Sequence, residues 1–289
     1  MKAPKFSYVR AESVEQVLEL LERHGDDARI LAGGQSLMPT LNMRLSQLRL
    51  LIDINRLQAL AGISLQGNRV RIGALTRHVE VANSALVAEH LPLIAEAMPH
   101  VAHVAVRNRG TFGGSIALAD PAAEMPACVL ALGATLVLQS VIGRREVAAS
   151  DYFQGLYETA RRPDELLVEA LIPVPRVSSV SVFKELAQRH GDFAIAGVAF
   201  HLEIDAGIVA DARLVYFGSE SKPTLARGAS SAIVGRSIDD TSSAAAASAL
   251  DADLSPMSSP HGSSRMRLHL QRVLTRRALA MAAERARPA

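Results

Sequence analysis

LAGGQSL, at residues 31–37, has a counterpart later in the chain, RGTFGGS at residues 109–115. Each segment places a Gly-Gly pair after an apolar run. Glycine permits positive φ and lets a ligand approach the backbone without a Cβ in the way. Successive N–H groups can then point at one anion, and Ser and Thr hydroxyls add further donors. A lone Gly-Gly pair is typical of a tight turn, but the two together, here named the first and second glycine segments, predict a bound diphosphate.

Neither glycine segment has the spacing of a standard nucleotide-binding motif. The sequence contains no G-x-x-x-x-G-K-[ST]. It also lacks a G-x-G-x-x-G that opens a helix and is followed by an acidic residue about 20 positions later. These absences disfavour a nucleoside-triphosphate site and an ordinary NAD site. The remaining candidate is a ligand of dinucleotide size held by two separate segments.

Length and composition predict a chain with a substantial core and no affinity for nucleic acid. The 289 residues are 49% hydrophobic, enough for two domains or one large domain with subdomains. The formal net charge is only +2, with both signs mixed along the chain, so neither nucleic acid nor a membrane surface is an expected partner. Because no signal peptide and no stretch of about 18 apolar residues is visible, we expect a cytoplasmic location without membrane insertion.

The single cysteine limits the redox chemistry of the chain. Cys128 alone cannot form an intrachain disulfide or hold an iron–sulfur cluster, which needs about four thiolates or their histidine substitutes. It lies in an apolar helical run, residues 122–132, where we expect a buried structural thiol. The histidines show no ligand spacing, so they are interpreted as structural or solvated and no metal ligand is predicted. Any metal redox centre must then lie on another chain.

Strand and helix signals alternate along the first 175 residues. A capping-box pattern at residues 13–16 and an apolar stripe predict a helix that ends at Gly25. Strands are predicted over residues 29–32, 48–54, 69–74, 134–139, 144–147 and 166–172. This alternation is an α+β or α/β pattern.

Cap signals place further helices in the same region. Thr76 is a predicted N-cap, and a helix is expected over residues 91–101. Asp120 is predicted as an N-cap with Pro121 at the first helical position, and Gly133 suits the C′ position of that helix.

Pro173 and Pro175 predict a domain boundary, since prolines two residues apart break a helix and cannot both serve a central strand. The chain is therefore divided into residues 1–175 and 176–289. Beyond the boundary, strands are predicted over residues 180–188, 193–204 and 212–219, and helices from about residue 225, about residue 242 and residue 265 onward. The Ala/Ser-rich stretch 242–250 fits either a weak helix or a flexible connector.

Four stretches of the sequence resemble the medium, FAD-binding subunits of the molybdenum hydroxylases. That family includes carbon monoxide dehydrogenase, quinoline and nicotine oxidoreductases and xanthine dehydrogenase. The stretches are residues 31–45 (LAGGQSLMPTLNMRL), 106–127 (VRNRGTFGGSIALADPAAEMPA), 192–196 (DFAIA) and 269–279. The resemblance covers nearly the whole chain, and the two glycine strings are its most specific part.

The resemblance implies an α+β fold of two domains. The first, residues 1–175, is an FAD-binding domain of the vanillyl-alcohol-oxidase-like, PCMH type, with subdomains of about residues 1–55 and 56–175 and the flavin between them. The second, residues 176–289, is a smaller domain of a three-stranded antiparallel sheet with helices.

The resemblance also implies which residues hold the cofactor. They are Ala32, Gly33, Gly34, Gln35, Ser36, Leu37, Thr111, Gly113, Gly114, Ser115, Glu124, Leu167 and Lys184. Glu124 matches an acidic contact to the ribityl or adenosine side, although a solvated carboxylate in a first helical turn fits equally well. Leu167 matches an apolar wall near the ring. Lys184 matches a cation near the isoalloxazine, where it favours reduced anionic flavin, or else it is a surface lysine on an alternating strand. Leu118 departs from the His or Asn of many relatives.

The implied function is electron transfer inside a complex. Electrons from a substrate hydroxylated at molybdenum on a large molybdopterin-binding subunit would pass through 2Fe-2S clusters on a small subunit to FAD here, and then to an external acceptor. The expected assembly is a dimer of heterotrimers. No acid–base machinery for substrate is visible, so no catalytic residue is predicted. A self-contained flavoenzyme, oxidase or reductase, on the same fold stays open as an alternative, as does a non-redox nucleotide-binding or scaffolding protein.

Overall fold

Four β-sheets and twelve α-helices make up residues 2–287, the part of the chain that the computed structural model describes. Residues 1, 288 and 289, at the outer ends of the two predicted domains, lie outside the described residues. Strands and helices are interleaved along the chain and share layers, and the predicted α+β fold class is confirmed.

The first sheet is three-stranded and parallel. Its region contains β1 (Ser7–Arg10), α1 (Val14–His24), a 3₁₀ turn (Gly25–Asp27), β2 (Ala28–Leu31), α2 (Leu37–Asn42) and β3 (Leu50–Asp53). β3 lies between β1 and β2 and runs parallel to both. α1 begins where the capping pattern predicts, because the Ser13 hydroxyl accepts a hydrogen bond from the Gln16 amide. The sequence does not predict β1 or α2, since such short elements show little periodicity.

The second sheet is antiparallel, in the order β4-β5-β10-β6-β7. Its strands are β4 (Ile63–Gln66), β5 (Arg69–Gly73), β6 (Thr135–Ser140), β7 (Gly143–Ala148) and β10 (Leu166–Pro173), and a separate hairpin is formed by β8 (Phe153–Gly155) and β9 (Glu158–Thr159). β10 pairs with β5 on one side and β6 on the other. The sheet thereby joins segments that are far apart in the chain.

Short helices fill the connection between β5 and β6. They are α3 (His78–Ala82), α4 (Ala85–His90), α5 (Pro92–Ala97), α6 (Val104–Arg107), α7 (Phe112–Leu118) and α8 (Glu124–Ala131); α9 (Ala149–Tyr152) follows β7, and 3₁₀ turns lie at Gln58–Leu60 and Met98–His100. The helix predicted over residues 91–101 is therefore α5 followed by a 3₁₀ turn. The predicted cap at Thr76 is wrong, because Arg77 occupies the N-cap of α3 and the Thr76 hydroxyl bonds both backbone groups of Gly62.

The predicted N-cap at Asp120 is also wrong. Asp120 Oδ1 accepts a hydrogen bond from the Ala122 amide at 2.9 Å, which closes a local turn, and α8 begins only at Glu124. An Asp side chain that satisfies its own turn competes with helix capping. The other end of the helix is confirmed, since Gly133 follows the C-cap with φ of +63°.

The C-terminal part is an antiparallel meander covered by helices. Its elements are β11 (Ser179–Ala187), β12 (Ala194–Asp205), β13 (Ile208–Phe217), β14 (Thr224–Leu225), α10 (Arg227–Ile233), α11 (Asp240–Asp253) and α12 (Ser264–Arg285). The three predicted strands are present, and the two-residue β14 adds a fourth at the edge. The Ala/Ser-rich stretch is a helix, because it forms most of α11 and its Ala246 and Leu250 pack into the core.

A continuous core joins α8 to the C-terminal sheet. Phe183 of β11 and Phe217 of β13 are buried, with ring centroids 5.5 Å apart, and belong to the same cluster as Met125 and Cys128 of α8. Cys128 is fully buried, as predicted for a structural thiol, and burial raises its pKa. The two halves of the chain therefore share apolar packing at the point where α8 begins beside the candidate site.

Candidate functional site

A cleft of about 1010 Å³ lies where the first sheet, the α7–α8 region and the C-terminal sheet meet. Both glycine segments line it. Its other walls come from residues 161–167, before and within β10, and from residues 188–195, between β11 and β12 and at the start of β12. Ligand sites commonly occupy such junctions, and this volume is at the upper end of the usual range, about 300–1,000 Å³.

Twelve of the thirteen predicted cofactor residues line this cleft. They are Ala32, Gly33, Gly34, Gln35, Ser36, Leu37, Thr111, Gly113, Gly114, Ser115, Glu124 and Leu167. Lys184 is the exception: it lies on β11 opposite Val198 of β12 and is not part of the cleft wall. The fold thus brings together residues from widely separated parts of the chain, and it leaves Lys184 outside.

The first glycine segment presents open backbone amides. Among residues 2–287, the successive amides of residues 33–37, which lead into α2, donate no hydrogen bond. Gly34 has φ of +70°, a conformation that favours glycine, and the Gln35 amide side chain donates to the Gly33 carbonyl at 3.0 Å. A run of unpaired N–H groups in a turn before a helix is suited to an anion.

The second glycine segment is built differently. Thr111 is the N-cap of α7, and its hydroxyl accepts from the Gly114 amide at 3.1 Å. The amides of Phe112 and Gly113 donate to the carbonyls of Thr76 and Ala74, both at 2.9 Å. These N–H groups are already satisfied, so the open cradle expected here is not formed. The glycines serve close packing instead, because a Cβ on Gly113 would overlap the Ala74 side chain.

Direct backbone contact holds the two segments together. A Cβ on Gly33 would overlap the Arg109 carbonyl oxygen and lie 2.7 Å from Gly110 Cα. Arg77 and Asn55 reinforce the contact: the Arg77 guanidinium donates to the Arg109 carbonyl and to Asn55 Oδ1, and Asn55 Nδ2 donates to the Ala32 carbonyl at 2.8 Å. These hydrogen bonds connect both glycine segments through the side chains of Arg77 and Asn55, which no sequence motif singles out.

Asp53 anchors this arrangement from the end of β3. Its Oδ1 accepts from Asn55 Nδ2 at 2.7 Å, and its Oδ2 accepts from the Tyr8 hydroxyl at 2.6 Å. Burial acts to raise the pKa of Asp53, but the hydrogen bonds from Tyr8 and Asn55 outweigh it and the pKa is lowered. The carboxylate therefore stays ionised and keeps Asn55 oriented toward the first glycine segment.

Glu124 is buried at the N-terminus of α8, with 7% of its surface exposed. The solvated first-turn carboxylate considered from the sequence is therefore excluded. Burial raises the pKa of Glu124 to about 8, and the nearby charge of Glu185 acts in the same direction. At neutral pH the cleft wall thus contains a carboxylic acid that carries a proton.

The apolar walls agree with a flat ligand. Leu167 is buried within the irregular part of β10, where the register with β6 shifts between Leu167 and Glu169. Leu118 ends α7 and lines the cleft with 36% of its surface exposed. Phe193, 71% exposed, lines the cleft from the C-terminal side.

Sequence reasoning missed several polar groups in the cleft wall. They are His78, His103, Arg161, Gln188, Asp192, Ser259, His261 and Arg267. His78 is buried behind Gly110, and burial lowers its pKa to about 4, so the ring is neutral. Arg267 of α12 is buried and donates to the Gly218 carbonyl at 2.8 Å. The only sequence signal for any of these residues was the resemblance at residues 192–196, and that resemblance implied no role for the Asp192 side chain.

Comparison with known families accounts for almost the whole chain. Residues 4–175 match the family described as the FAD binding domain in molybdopterin dehydrogenase. Residues 181–282 match the CO dehydrogenase flavoprotein C-terminal domain. The chain therefore belongs to the medium, FAD-binding subunits of the molybdenum hydroxylases, as the sequence predicted.

Individual relatives extend over the full length. The chain is 41% identical over 289 residues to the 6-hydroxypseudooxynicotine dehydrogenase complex subunit alpha of Paenarthrobacter nicotinovorans, covering 100% of this chain and 98% of that one. Carbon monoxide dehydrogenase of Hydrogenophaga pseudoflava superposes with a TM-score of 0.96 at 35% identity and 99% coverage of both chains. Quinoline 2-oxidoreductase of Pseudomonas putida 86 gives 0.93 at 38% identity, also with 99% coverage of both.

These findings confirm three predictions. FAD is the cofactor of the N-terminal region, the chain is an oxidoreductase subunit, and it is a medium subunit of the molybdenum hydroxylase family. No helix within residues 2–287 has both the length and the hydropathy needed to cross a membrane.

Proposed function

We propose that this chain carries electrons through FAD held in the cleft, receiving them from 2Fe-2S clusters on a small partner subunit and passing them to an external acceptor. The bound flavin would supply reversible electron acceptance. The observation that carries the proposal is the run of open amides at residues 33–37, at one end of a cleft that also has an apolar wall. The chain's own residues bind and orient the cofactor.

The twelve lining residues are proposed as the cofactor contacts. Open amides in the first glycine segment suit a diphosphate, because N–H groups balance its negative charge without lysines. The second glycine segment contributes shape, since its amides are satisfied and its glycines keep the wall close. Leu167 and Leu118 offer apolar surface to the ring system. Lys184 remains a proposal from the resemblance alone, and its position on β11 gives it no support.

We also propose the domain division at about residue 175. The first two sheets lie before this point and the four-stranded sheet after it. The family matches end at residue 175 and resume at residue 181. Within the first domain, the division near residue 55 separates the parallel from the antiparallel sheet.

Partners are proposed from the relatives, which are subunits of multi-subunit complexes. Cys128 is buried, and within residues 2–287 no three His, Cys, Asp or Glu side chains form a candidate metal site. We propose a large molybdopterin-binding subunit and a small 2Fe-2S subunit, assembled as a dimer of heterotrimers in the cytoplasm. Substrate would then react on the large subunit, and the isolated chain would not act on it.

The first test is cofactor release. The full chain should purify with FAD, and acid precipitation should free all of the flavin, because no histidine or cysteine lies in a recognisable linking context. Loss of FAD on precipitation supports the proposal. A colourless chain that does not bind added FAD, or flavin that stays on the denatured polypeptide, contradicts it.

The second test is electron delivery. Co-expressed with molybdopterin and iron–sulfur subunits encoded beside it, the chain should elute with them, and its flavin should be reduced by the substrate of the complex. The isolated chain should show no substrate turnover. Turnover by the isolated chain at about 1 per second or more would instead favour the self-contained flavoenzyme.

A further inference from the structure

Arg267 is the one arginine or lysine side chain that is buried among residues 2–287. It lies on α12, lines the cleft and has 7% of its surface exposed. The other arginines of the cleft wall, Arg29 and Arg161, are half-buried. Because the open amides of residues 33–37 suit a diphosphate without any cation, a buried guanidinium in the same cleft needs a different reason.

Hydrogen bonds fix the Arg267 guanidinium in place. One terminal nitrogen donates to the Gly218 carbonyl at 2.8 Å, and the other donates to the Ser259 hydroxyl at 2.6 Å. One turn further along α12, Gln271 Nε2 donates to the Ser219 hydroxyl at 2.9 Å. The start of α12 is therefore docked on the end of β13, and the guanidinium is held at the cleft wall.

The positive charge of Arg267 is not compensated within the described part of the chain. Arg267 forms no ion pair there, and its Nε is buried without a hydrogen-bond partner. Burial lowers the pKa of Arg267, and Glu220 opposes this only in part. The Glu220 carboxylate already accepts from the Ser255 amide at 2.8 Å and from the Ser219 hydroxyl at 3.3 Å. Since a buried, unpaired charge is costly, the arrangement indicates that a ligand brings the negative charge.

Arg267 lies at the opposite end of α7 from the first glycine segment. Gly33 touches Gly110 just before α7 begins. The Gly218 amide, by contrast, donates to the Pro121 carbonyl at 2.8 Å, just beyond the end of α7. The seven residues of α7 span about 10 Å at the helical rise of about 1.5 Å per residue. A diphosphate on the open amides therefore leaves Arg267 to a different part of the ligand.

The Arg267 end of the cleft also offers apolar surface to a flat ring. Leu118 and Phe193 line it with exposed side chains. The Cβ position of Gly218 lies 2.8 Å from the Ala194 carbonyl oxygen, so the residue after Phe193 packs on the glycine whose carbonyl accepts from Arg267. FAD has two flat rings, adenine and isoalloxazine. Adenine stays neutral, whereas isoalloxazine gains a negative charge on reduction, and it is therefore the ring that suits an unpaired cation.

We propose that Arg267 faces the isoalloxazine end of bound FAD and stabilises the negative charge that this ring gains on reduction. Two electrons from the iron–sulfur donor and one proton from solvent give the reduced flavin one negative charge. The guanidinium offsets that charge in a cleft where the dielectric is low. Arg267 thereby takes the role that the resemblance implied for Lys184, which is not part of the cleft wall. The assignment rests on the proposed function.

A first experiment needs no variant. The reduction potential of the FAD-loaded full chain is measured against pH by equilibration with a redox dye, beside free FAD. Uptake of one proton with two electrons changes the potential by about 30 mV per pH unit, and uptake of two protons doubles that slope. The pH at which the slope changes marks the loss of a proton from reduced flavin. It should be lower in the chain than in free FAD, and an equal or higher value would overturn the proposal.

A second experiment compares variants in the same measurement. Arg267→Gln should weaken binding of reduced FAD relative to oxidised FAD at least 10-fold, which lowers the potential by about 30 mV or more. Arg267→Lys keeps the charge and should recover at least half of that shift. The matched control is Gln271→Leu, which removes the bonds to Phe217 and Ser219 from the same helix face but no charge. It should lower stability and leave the potential unchanged.

The outcomes separate this proposal from the proposed function. A chain that binds no FAD contradicts the function. A chain that binds FAD with an unchanged potential in Arg267→Gln overturns the role of Arg267 and leaves the function intact. An equal shift in Gln271→Leu, or no recovery in Arg267→Lys, would assign the effect to docking of α12 and also overturn it. If Arg267→Gln does not fold, the pH dependence of the natural chain decides.

Discussion

The two glycine segments look alike in sequence and differ in structure. In the first segment, the amides of residues 33–37 donate no hydrogen bond within the described chain and belong to residues of the cleft wall. In the second segment, three successive amides at the start of α7 donate to the Thr76 carbonyl, the Ala74 carbonyl and the Thr111 hydroxyl. The proposal therefore assigns ligand binding to the amides of the first segment and the shape of the wall to the second. A Gly-Gly pair therefore does not by itself identify an anion cradle; where its N–H groups point decides.

Three physical reasons for glycine are separated by this comparison. Gly34 needs positive φ, Gly33 allows two backbone segments to touch, and Gly113 allows α7 to pack on Ala74. Of these three reasons, positive φ is the one usually inferred from a Gly-Gly pair. The variants of Gly33 and Gly113 below test the second and third of these reasons separately.

The largest effect is expected for Gly33→Ala. Its Cβ would meet the backbone of Arg109 and Gly110, which cannot move aside cheaply, so the two segments must separate. We expect FAD affinity to fall about 100-fold, comparable to losing two charge-assisted hydrogen bonds. Titration of FAD into the FAD-free chain, followed by flavin fluorescence, measures the change.

The control for Gly33→Ala is Gly67→Ala. Gly67 also lies in a turn, with φ of +60°, but nothing lies within 4 Å of its Cβ position and it is outside the cleft. That substitution should cost about 1 kcal/mol of stability and leave FAD affinity unchanged. Equal affinity in Gly33→Ala and the natural chain would show that contact between the segments is not needed for binding.

Gly113→Ala should mainly affect folding. The added methyl group would overlap the Ala74 side chain and lie 2.8 Å from its carbonyl oxygen, in a fully packed region. Overpacking of this kind costs about 1–3 kcal/mol of unfolding free energy. Urea denaturation of the FAD-free chain should show this loss. If stability were unchanged and only FAD affinity fell, the second segment would be a binding surface like the first.

Glu124, which follows the second segment, should make stability depend on pH. Its pKa is about 8 when folded, above the ordinary value of 4.5, so the folded chain binds the extra proton. Its stabilising contribution is complete below about pH 4.5 and is lost as pH rises to about 8, with a slope of up to about 1.4 kcal/mol per pH unit. Glu124→Gln should flatten this slope in urea titrations of the FAD-free chain. An unchanged slope would place its origin in another group.

The smallest effects are expected for the Thr111 and Ser36 hydroxyls, one in each glycine segment. Their removal should affect stability and FAD binding differently. Thr111→Ala removes the cap of α7 and should cost about 1 kcal/mol of stability. Ser36 makes no side-chain cap bond at the start of α2, so Ser36→Ala should leave stability within about 0.5 kcal/mol while weakening FAD binding. Thermal unfolding and FAD titration of both variants test the contrast. The reverse pattern would exchange the roles of the segments.

Much of the fold was predictable because its signals are local. The stripe of α1 with its Ser13 cap, the strands at residues 135–140 and 166–173, and the αL glycine at residue 133 each follow from a few neighbouring residues. The predictions that failed, at Thr76 and Asp120, each concern a single side chain. In both, a side chain able to cap a helix makes a different hydrogen bond, and only the surrounding backbone determines which one forms.

The sequence by itself determined the family through the resemblance of its glycine strings, and with the family came the cofactor. Those strings are recognisable because close approach of the backbone to a ligand restricts which residue can stand at each position. Tertiary structure alone decided which amides stay open, because that depends on acceptors supplied by distant segments such as Ala74. It also decided that Glu124 is buried, and that Lys184 lies away from the cleft. Burial and the charges of neighbours are properties of the folded chain, and no local pattern contains them.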